Sequence, residues 1–353
     1  PGRRPPADLE RIVTVLDFAL PEPLEAHEPP EGRGLARDGV RLLVGHRSTG
    51  EVRHHAFTDL PALLRPGDVL VVNTSATLPA AVPVPGRDLT VHFSTELPDG
   101  RWIVELREAD GKATKPYDGG SVAQRYALPG GAALTLDEPY SAGRLWVAGV
   151  QTGGLAVPRY LRRFGSPIRY GYVPRPWPLR YYQTVFGRHP GSAEMPSAGR
   201  PFTDRMVTEL VTAGVLVVPV LLHTGVASAE AHERPYPEWF SVPPTTARVV
   251  SQSRAAGGRV IAVGTTAVRA MESAVGRDAV LRGAQGMTDL VVTEQRGVRV
   301  VDGLITGLHE PRASHLDMLA AIAGRPLLAA CYAEAVDAGY LWHEFGDLNL
   351  LLP

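Results

Sequence analysis

The chain has 353 residues, 44% hydrophobic and 21% charged, enough to bury one large core or two moderate ones. A net charge of −1 argues against strong non-specific attraction to nucleic acid but leaves room for a local basic face. A single cysteine, Cys331, excludes an internal disulfide and any multi-cysteine metal site, and no apolar run is long enough to span a bilayer.

The opening stretch from Pro1 to Pro6 lacks the apolar centre of a signal peptide, so a cytoplasmic protein with no membrane association is expected. Short apolar strands then alternate with turns, Val40–Val44 first and Val69–Val72 after Pro66-Gly67-Asp68. From Ala81 to Val150 the character changes. Segments Leu89–Phe93, Trp102–Leu106, Ala133–Leu136 and Arg144–Val147 are punctuated by Pro-Asp-Gly, Asp-Gly and Pro-Gly-Gly turns, the pattern of a small β-barrel or curled sheet. The expected fold is α/β: a discontinuous mixed-sheet domain of residues 1–80 and 151–353, with a small β-barrel-like domain, 81–150, inserted into it.

From Gln151 to His189 the chain is rich in proline and aromatics, among them Tyr170, Tyr172, Trp177, Tyr181 and Tyr182. Pro174, Pro176 and Pro178 disfavour long helices there. Such a segment either faces a ligand or packs the two domains together. The α/β pattern resumes after Phe202. Thr203 caps a helix with the apolar stripe Met206, Val207, Leu210 and Val211, which Gly214 ends. Val215–Leu222 reads as a strand buried on both faces. A helix from Thr246 to Ala256 feeds the strand Val260–Val263, which breaks at Gly264 into another helix. Ser314-His315-Leu316-Asp317 has the spacing of a capping box, opening a helix that stops at Gly324, and Pro326 begins the next. Cys331, in an alanine-rich helical stretch, is expected to be a small core residue.

Gly264-Thr265-Thr266 offers free backbone N–H groups and two hydroxyls at a positive helix end, where an anion can bind or a threonine can simply cap. In open α/β sheets ligands collect at the carboxyl ends of strands. His223, Gly264–Thr266 and Thr306–His309 each follow a strand, so three polar strand ends are expected to converge on one cleft. Histidine exchanges a proton near neutral pH, which singles out His223 and His309. The histidines are otherwise scattered and His309-Glu310 lacks the second histidine of a zinc helix, so no metal is expected.

Further segments complete an ordered series: Arg37 to Val44, Pro66 to Asn73, Tyr182-Gln183-Thr184-Val185-Phe186, Gly191-Ser192, Pro196 to Thr203, Leu222-His223-Thr224-Gly225, Val260 to Ser273 and Gly303 to Pro311. In order and spacing the set resembles the S-adenosylmethionine:tRNA ribosyltransferase-isomerase (QueA) family of queuosine biosynthesis, from about Phe18 to Leu352. The resemblance implies an enzyme with S-adenosylmethionine as co-substrate, no metal, and a tRNA partner. It would move the ribosyl part of S-adenosylmethionine to a 7-aminomethyl-7-deazaguanine base, releasing adenine and methionine. That chemistry needs a base for the acidic C–H beside the sulfonium and an acid for the departing adenine. His223, His309, Asp302 and Glu272 are the candidates for the proton work. Gly264, Thr265, Thr266, Arg269, Ser197 and Tyr182 are the candidates for holding S-adenosylmethionine, with Arg269 a fork for its carboxylate. The other reading of Arg269 and Glu272 is an ion pair on the helix surface.

The chain departs from the family pattern in several places. Pro201 replaces a histidine, and Glu233-Arg234-Pro235-Tyr236 replaces a stretch with two, although His232 lies just before it. Asn73-Thr74-Ser75-Ala76, His223 to Ala229 and Gly307-Leu308-His309-Glu310-Pro311 are altered too. Arg200 or Glu310 is a possible substitute for the lost group. A small-molecule acceptor, or a catalytically silent nucleotide- or RNA-binding relative, are therefore the alternatives, and the oligomeric state is left open.

Overall fold

A computed structural model describes residues 16–110, 114–140, 143–226 and 236–353. Its centre is a nine-stranded mixed sheet in the order Ala284–Thr288, Glu238–Val242, Leu216–Leu222, Val69–Asn73, Val260–Val263, Gly303–Gly307, Leu348–Leu352, Arg41–His46 and Val52–Ala56. The four strands from Leu216–Leu222 to Gly303–Gly307 run parallel, so their carboxyl ends share one edge. Two-residue alternation sends Val69, Val71 and Val260 into one core, covered by helices Thr265–Ser273, His315–Ala323 and Arg325–Asp337. Leu70, Val72 and Ile261 enter the other, closed by Phe57 and by Phe202, Met206 and Leu210 at helix Asp204–Thr212. Parallel strands covered on both faces read as unbroken apolar runs, and Val69–Asn73 and Val260–Val263 are buried throughout.

Leu216–Leu222 differs from the expectation. Its burial alternates, with Leu216 and Pro219 exposed, because only one face of this strand is fully covered. The Thr203 cap forms, its hydroxyl accepting from Met206 N at 3.2 Å, and Gly214 follows at φ +83°, open to glycine at little cost. The Ser314 capping box does not form. Ser314 is already helical (φ −59°, ψ −21°) and its side chain makes no cap bond. Cys331 is buried against Gly45, and burial pushes its thiol up to about 11, which leaves it inert.

Residues Ala81–Gln151 form a second, antiparallel sheet of seven strands. Its hydrogen-bonded path begins at Ala81–Pro83 and ends at Arg125–Leu128, so it is a curled half-barrel rather than a closed barrel. Its core takes in Tyr160 and Leu161 of helix Val157–Phe164, so the apolar packing runs past Val150. Among the described residues no single helix is long and apolar enough to cross a membrane.

Candidate functional site

Asn73 ends the second of the four parallel strands and ties three of them together. Its amide N–H₂ donates to Leu222 O at 2.9 Å and to Thr266 Oγ1 at 3.1 Å, while Oδ1 accepts from Ser75 N and Leu222 N. All four bonds are buried or nearly so, where an unmade bond is costly, so the side chain fixes the strand ends relative to one another.

His223 follows the neighbouring strand. Its Nδ1 lies 2.7 Å from Ser75 Oγ, which lies 2.6 Å from Ser192 Oγ, which accepts from Thr224 N at 3.0 Å. One donor direction satisfies every member of this relay: amide to Ser192, Ser192 to Ser75, Ser75 to Nδ1. Nε2 then carries the proton and is a donor. Burial and the neighbouring His189 bring the imidazole down to about 4, so it is neutral at physiological pH. Gly191 lies flat on the ring, since a Cβ there would come within 2.4 Å of Cε1.

Gly264 starts helix Thr265–Ser273 at φ +89°, ψ +152°, a conformation suited to glycine. Thr265 and Thr266 offer the first helix amides, which no helix carbonyl can reach. Thr266 does not cap the helix, its hydroxyl being the acceptor for Asn73. Ala198, in the turn Ser197–Gly199, packs over Gly264 and so brings Ser197 to the helix mouth.

The strand Gly303–Gly307 delivers Thr306, whose Oγ1 lies 2.9 Å from His309 Nε2. The His309 ring stacks on His315 at 4.6 Å, and burial with His315 and His343 nearby holds it well below the usual imidazole value. Four adjacent strands spaced about 4.8 Å put His223 and His309 on strand ends roughly 14 Å apart.

A narrow cleft beside Gly307 is lined by Ser197, Arg200, Pro201, His343, Glu344 and Phe345. His343 and Glu344 were not singled out by sequence reasoning. The one signal they give is a polar pair between Trp342 and Phe345 in an otherwise aromatic run. His343 holds φ +71°, unusual for a residue with a Cβ. The surrounding structure forces it: Asp347 accepts from Leu341 N at 2.8 Å, Trp342 N donates to Leu24 O at 2.7 Å, and the imidazole stacks on Tyr172 at 4.1 Å. Glu344 Oε1 is buried without a hydrogen-bond partner, and His343 Nε2, likewise without one, lies 3.6 Å from Glu25 Oε1. Burial pushes the Glu344 carboxyl up to about 8 against the pull of Arg200, so at neutral pH it is a carboxylic acid.

The other candidates are placed differently. Asp302 precedes its strand, accepting from Val260 N at 2.8 Å, and so lies at the amino end of the sheet, the whole strand Val260–Val263 away from Gly264. Glu272 is buried along the helix, accepting from Arg299 N and Val300 N and pairing with Arg296 at 2.9 Å. Arg269 and Glu272 do not pair with each other: Arg269 pairs with Glu238 and donates to Leu290 O and Thr288 O, so its fork is taken up by the protein. Tyr182 packs on Phe345 behind the cleft. Arg200 is paired with Glu31, whereas Glu310 is exposed and faces His343 Nδ1 at 3.7 Å. Tyr236 packs at the curled sheet against Tyr140, while His232, Glu233 and the stretch 227–235 lie outside the described residues.

Residues 13–351 match the model of a family described as queuosine biosynthesis protein. The S-adenosylmethionine:tRNA ribosyltransferase-isomerase of Gloeobacter violaceus is 36% identical, the match covering 97% of this chain and 96% of the relative. Its counterpart in Heliobacterium modesticaldum is 34% identical over 96% and 99%. The crystal structure of S-adenosylmethionine tRNA ribosyltransferase from Thermotoga maritima superposes with a TM-score of 0.55 at 27% identity, covering 96% of this chain and all of that one.

Proposed function

Because the chain belongs to the queuosine biosynthesis protein family, we propose that it transfers the ribosyl part of S-adenosylmethionine to a 7-aminomethyl-7-deazaguanine base of a tRNA, with release of adenine and methionine. The observation that supports this reading best is the shared strand edge, where His223, Asn73, Gly264-Thr265-Thr266 and Thr306–His309 stand side by side next to a protonated Glu344.

Roles follow from the chemistry of each group. The Thr265 and Thr266 amides receive the methionine carboxylate, a charge-assisted contact at a positive helix end. Ser197 lines the adjoining wall, and Tyr182 supports it from behind through Phe345. Glu344 gives its proton to the departing adenine, a task suited to a carboxyl that is neutral at pH 7. His309, a neutral imidazole two residues beyond Gly307 of the cleft, accepts the proton beside the sulfonium. His223 donates a hydrogen bond through Nε2–H at the far end. Asp302, Glu272 and Arg269 are left out of the chemistry because their charges are spent on the fold. The curled sheet, with helix Val157–Phe164, is the inserted unit that walls the ligand region.

The test is adenine release from S-adenosylmethionine, with and without tRNA carrying the aminomethyl-deazaguanine base. Release that depends on this tRNA supports the reading. Release at the same rate without it would move the acceptor to a small molecule, and no release in either case would leave a silent relative.

A further inference from the structure

The stretch from Gln151 to Ala193 carries seven arginines, at 159, 162, 163, 169, 175, 180 and 188, and no acidic residue, within a chain of net charge −1. Six of them are exposed; Arg169 is half-buried. Arg175 pairs with Glu28, but Arg159, Arg162, Arg163 and Arg188 have no acidic partner among the described residues. Interleaved aromatics accompany them, Arg175 lying over Trp177 at 4.3 Å and Arg180 over Tyr181 at 4.8 Å. Helix Val157–Phe164 presents Arg159, Arg162 and Arg163 together.

Between this stretch and the curled sheet lies a cavity lined by Thr90, His92, Ser166, Arg169, Trp177 and Tyr182. His92 is 5% exposed, and neither ring nitrogen has a hydrogen-bond partner among the described residues. Burial and the nearby Arg107 bring it down to about 3, so it is a neutral imidazole with one donor and one acceptor. Arg169 uses Nη1 on Val173 O at 2.7 Å, and its other nitrogens have no hydrogen-bond partner among the described residues. A buried, unpaired donor–acceptor group, a guanidinium with donors to spare and two aromatic walls fit a planar heterocycle attached to an anion.

We propose that the arginine-rich stretch 151–193 is the surface on which the RNA backbone docks, and that the adjoining cavity receives an unstacked base of that RNA. The proposal rests on the reading of the chain as a tRNA-modifying enzyme and says where the RNA goes. Arginines bind phosphates without reading sequence, while a base taken out of its stack needs aromatic walls and polar edges. Tyr182, shared by the cavity and the cluster around Phe345, links this site to the cleft of His343 and Glu344.

The test uses the full chain and a fluorescently labelled full-length tRNA transcript, with affinity measured across salt concentrations. Arg162→Ala/Arg163→Ala is expected to weaken binding about tenfold at low salt and to lower the slope of log affinity against log salt by about 1 to 2. Affinity for S-adenosylmethionine alone, by calorimetry, should not change. Trp177→Ala should keep the salt slope but lower tRNA-dependent adenine release about 5- to 100-fold, with Trp177→Phe partly restoring it. Wild-type affinity and slope in the double variant would overturn the docking surface, even if adenine release still required tRNA. A wild-type rate in Trp177→Ala would overturn the base cavity. Equal displacement of the transcript by anionic phospholipid vesicles would overturn the assignment to RNA. Failure of the proposed function itself would look different, because the unaltered protein would then release no adenine with tRNA present.

Discussion

Helix Thr265–Ser273, which starts at the parallel strand ends, and loop Leu341–Asp347, beside Gly307, both carry charged residues, and they treat them in opposite ways. On the helix each charge is closed: Arg269 on Glu238 and two carbonyls, Glu272 on Arg296 and two backbone amides. In the loop Asp347 is closed on the Leu341 and Arg41 amides, but Glu344 Oε1 has no hydrogen-bond partner, the His343 ring makes only longer contacts to Glu25 and Glu310, and the His343 backbone holds positive φ. A closed buried charge holds the fold, because removing one partner strands the other in a low dielectric. An open one held in a strained loop weakens the fold, and sites that bind or react are where such costs are retained.

The largest effect should come from the open side. Glu344→Gln keeps the shape and removes the proton, so tRNA-dependent adenine release should fall about 10²–10⁴-fold. Stability separates this from a packing defect. The native carboxyl titrates near 8 against an ordinary value of 4.5, so folding takes up a proton between these values. Stability should therefore decline as pH rises from about 5 to about 8, and the Gln variant should flatten that decline in urea titrations. By the same titration, wild-type turnover should fall above about pH 8 as the acid is lost. A full-rate Gln variant would show that the open loop serves something other than proton transfer.

Arg269→Ala probes the closed side. It leaves Glu238 buried without its cation, which should cost about 3–5 kcal/mol in denaturant unfolding. A stable variant that loses only its affinity for S-adenosylmethionine would reverse the comparison and make the guanidinium a ligand group after all.

The contrast also explains what the sequence could and could not tell. The turn at Gly264 was legible because strand period, glycine and helix period follow one another within 14 residues, Val260 to Ser273. Asp302 could have been placed correctly too, since Gly303 begins its strand and a residue before a parallel strand lies at the amino end. Arg269 could not, because Glu238 is 31 residues upstream on an antiparallel strand whose register no local pattern sets. Glu344 was invisible for the same reason. Its burial depends on side chains brought from Arg200, Ser197 and the Pro30 turn, and nothing in Trp342-His343-Glu344-Phe345 announces a positive φ at the histidine. The curled sheet was legible as strands but not as an open half-barrel, since closure depends on whether its first and last strands meet.

Thr266 lies on the boundary between the two kinds of group and gives the smallest expected effect. Its hydroxyl is closed as an acceptor, from Asn73 Nδ2 at 3.1 Å, yet open as a donor at the helix mouth. Thr266→Val keeps the β-branched shape and removes both capacities. Asn73 retains its bond to Leu222 O, so the lost acceptor should cost about 1 kcal/mol of stability. If the hydroxyl also donates to the methionine carboxylate, affinity for S-adenosylmethionine should fall by a further 1–2 kcal/mol, about 5- to 30-fold, in calorimetry. Thr266→Ser separates the two, because it restores a hydroxyl at the same position and should recover both quantities. A valine variant with reduced stability and unchanged affinity would place Thr266 with Arg269 among the groups that only hold the fold, and would leave the backbone amides of Thr265 and Thr266 as the anion seat.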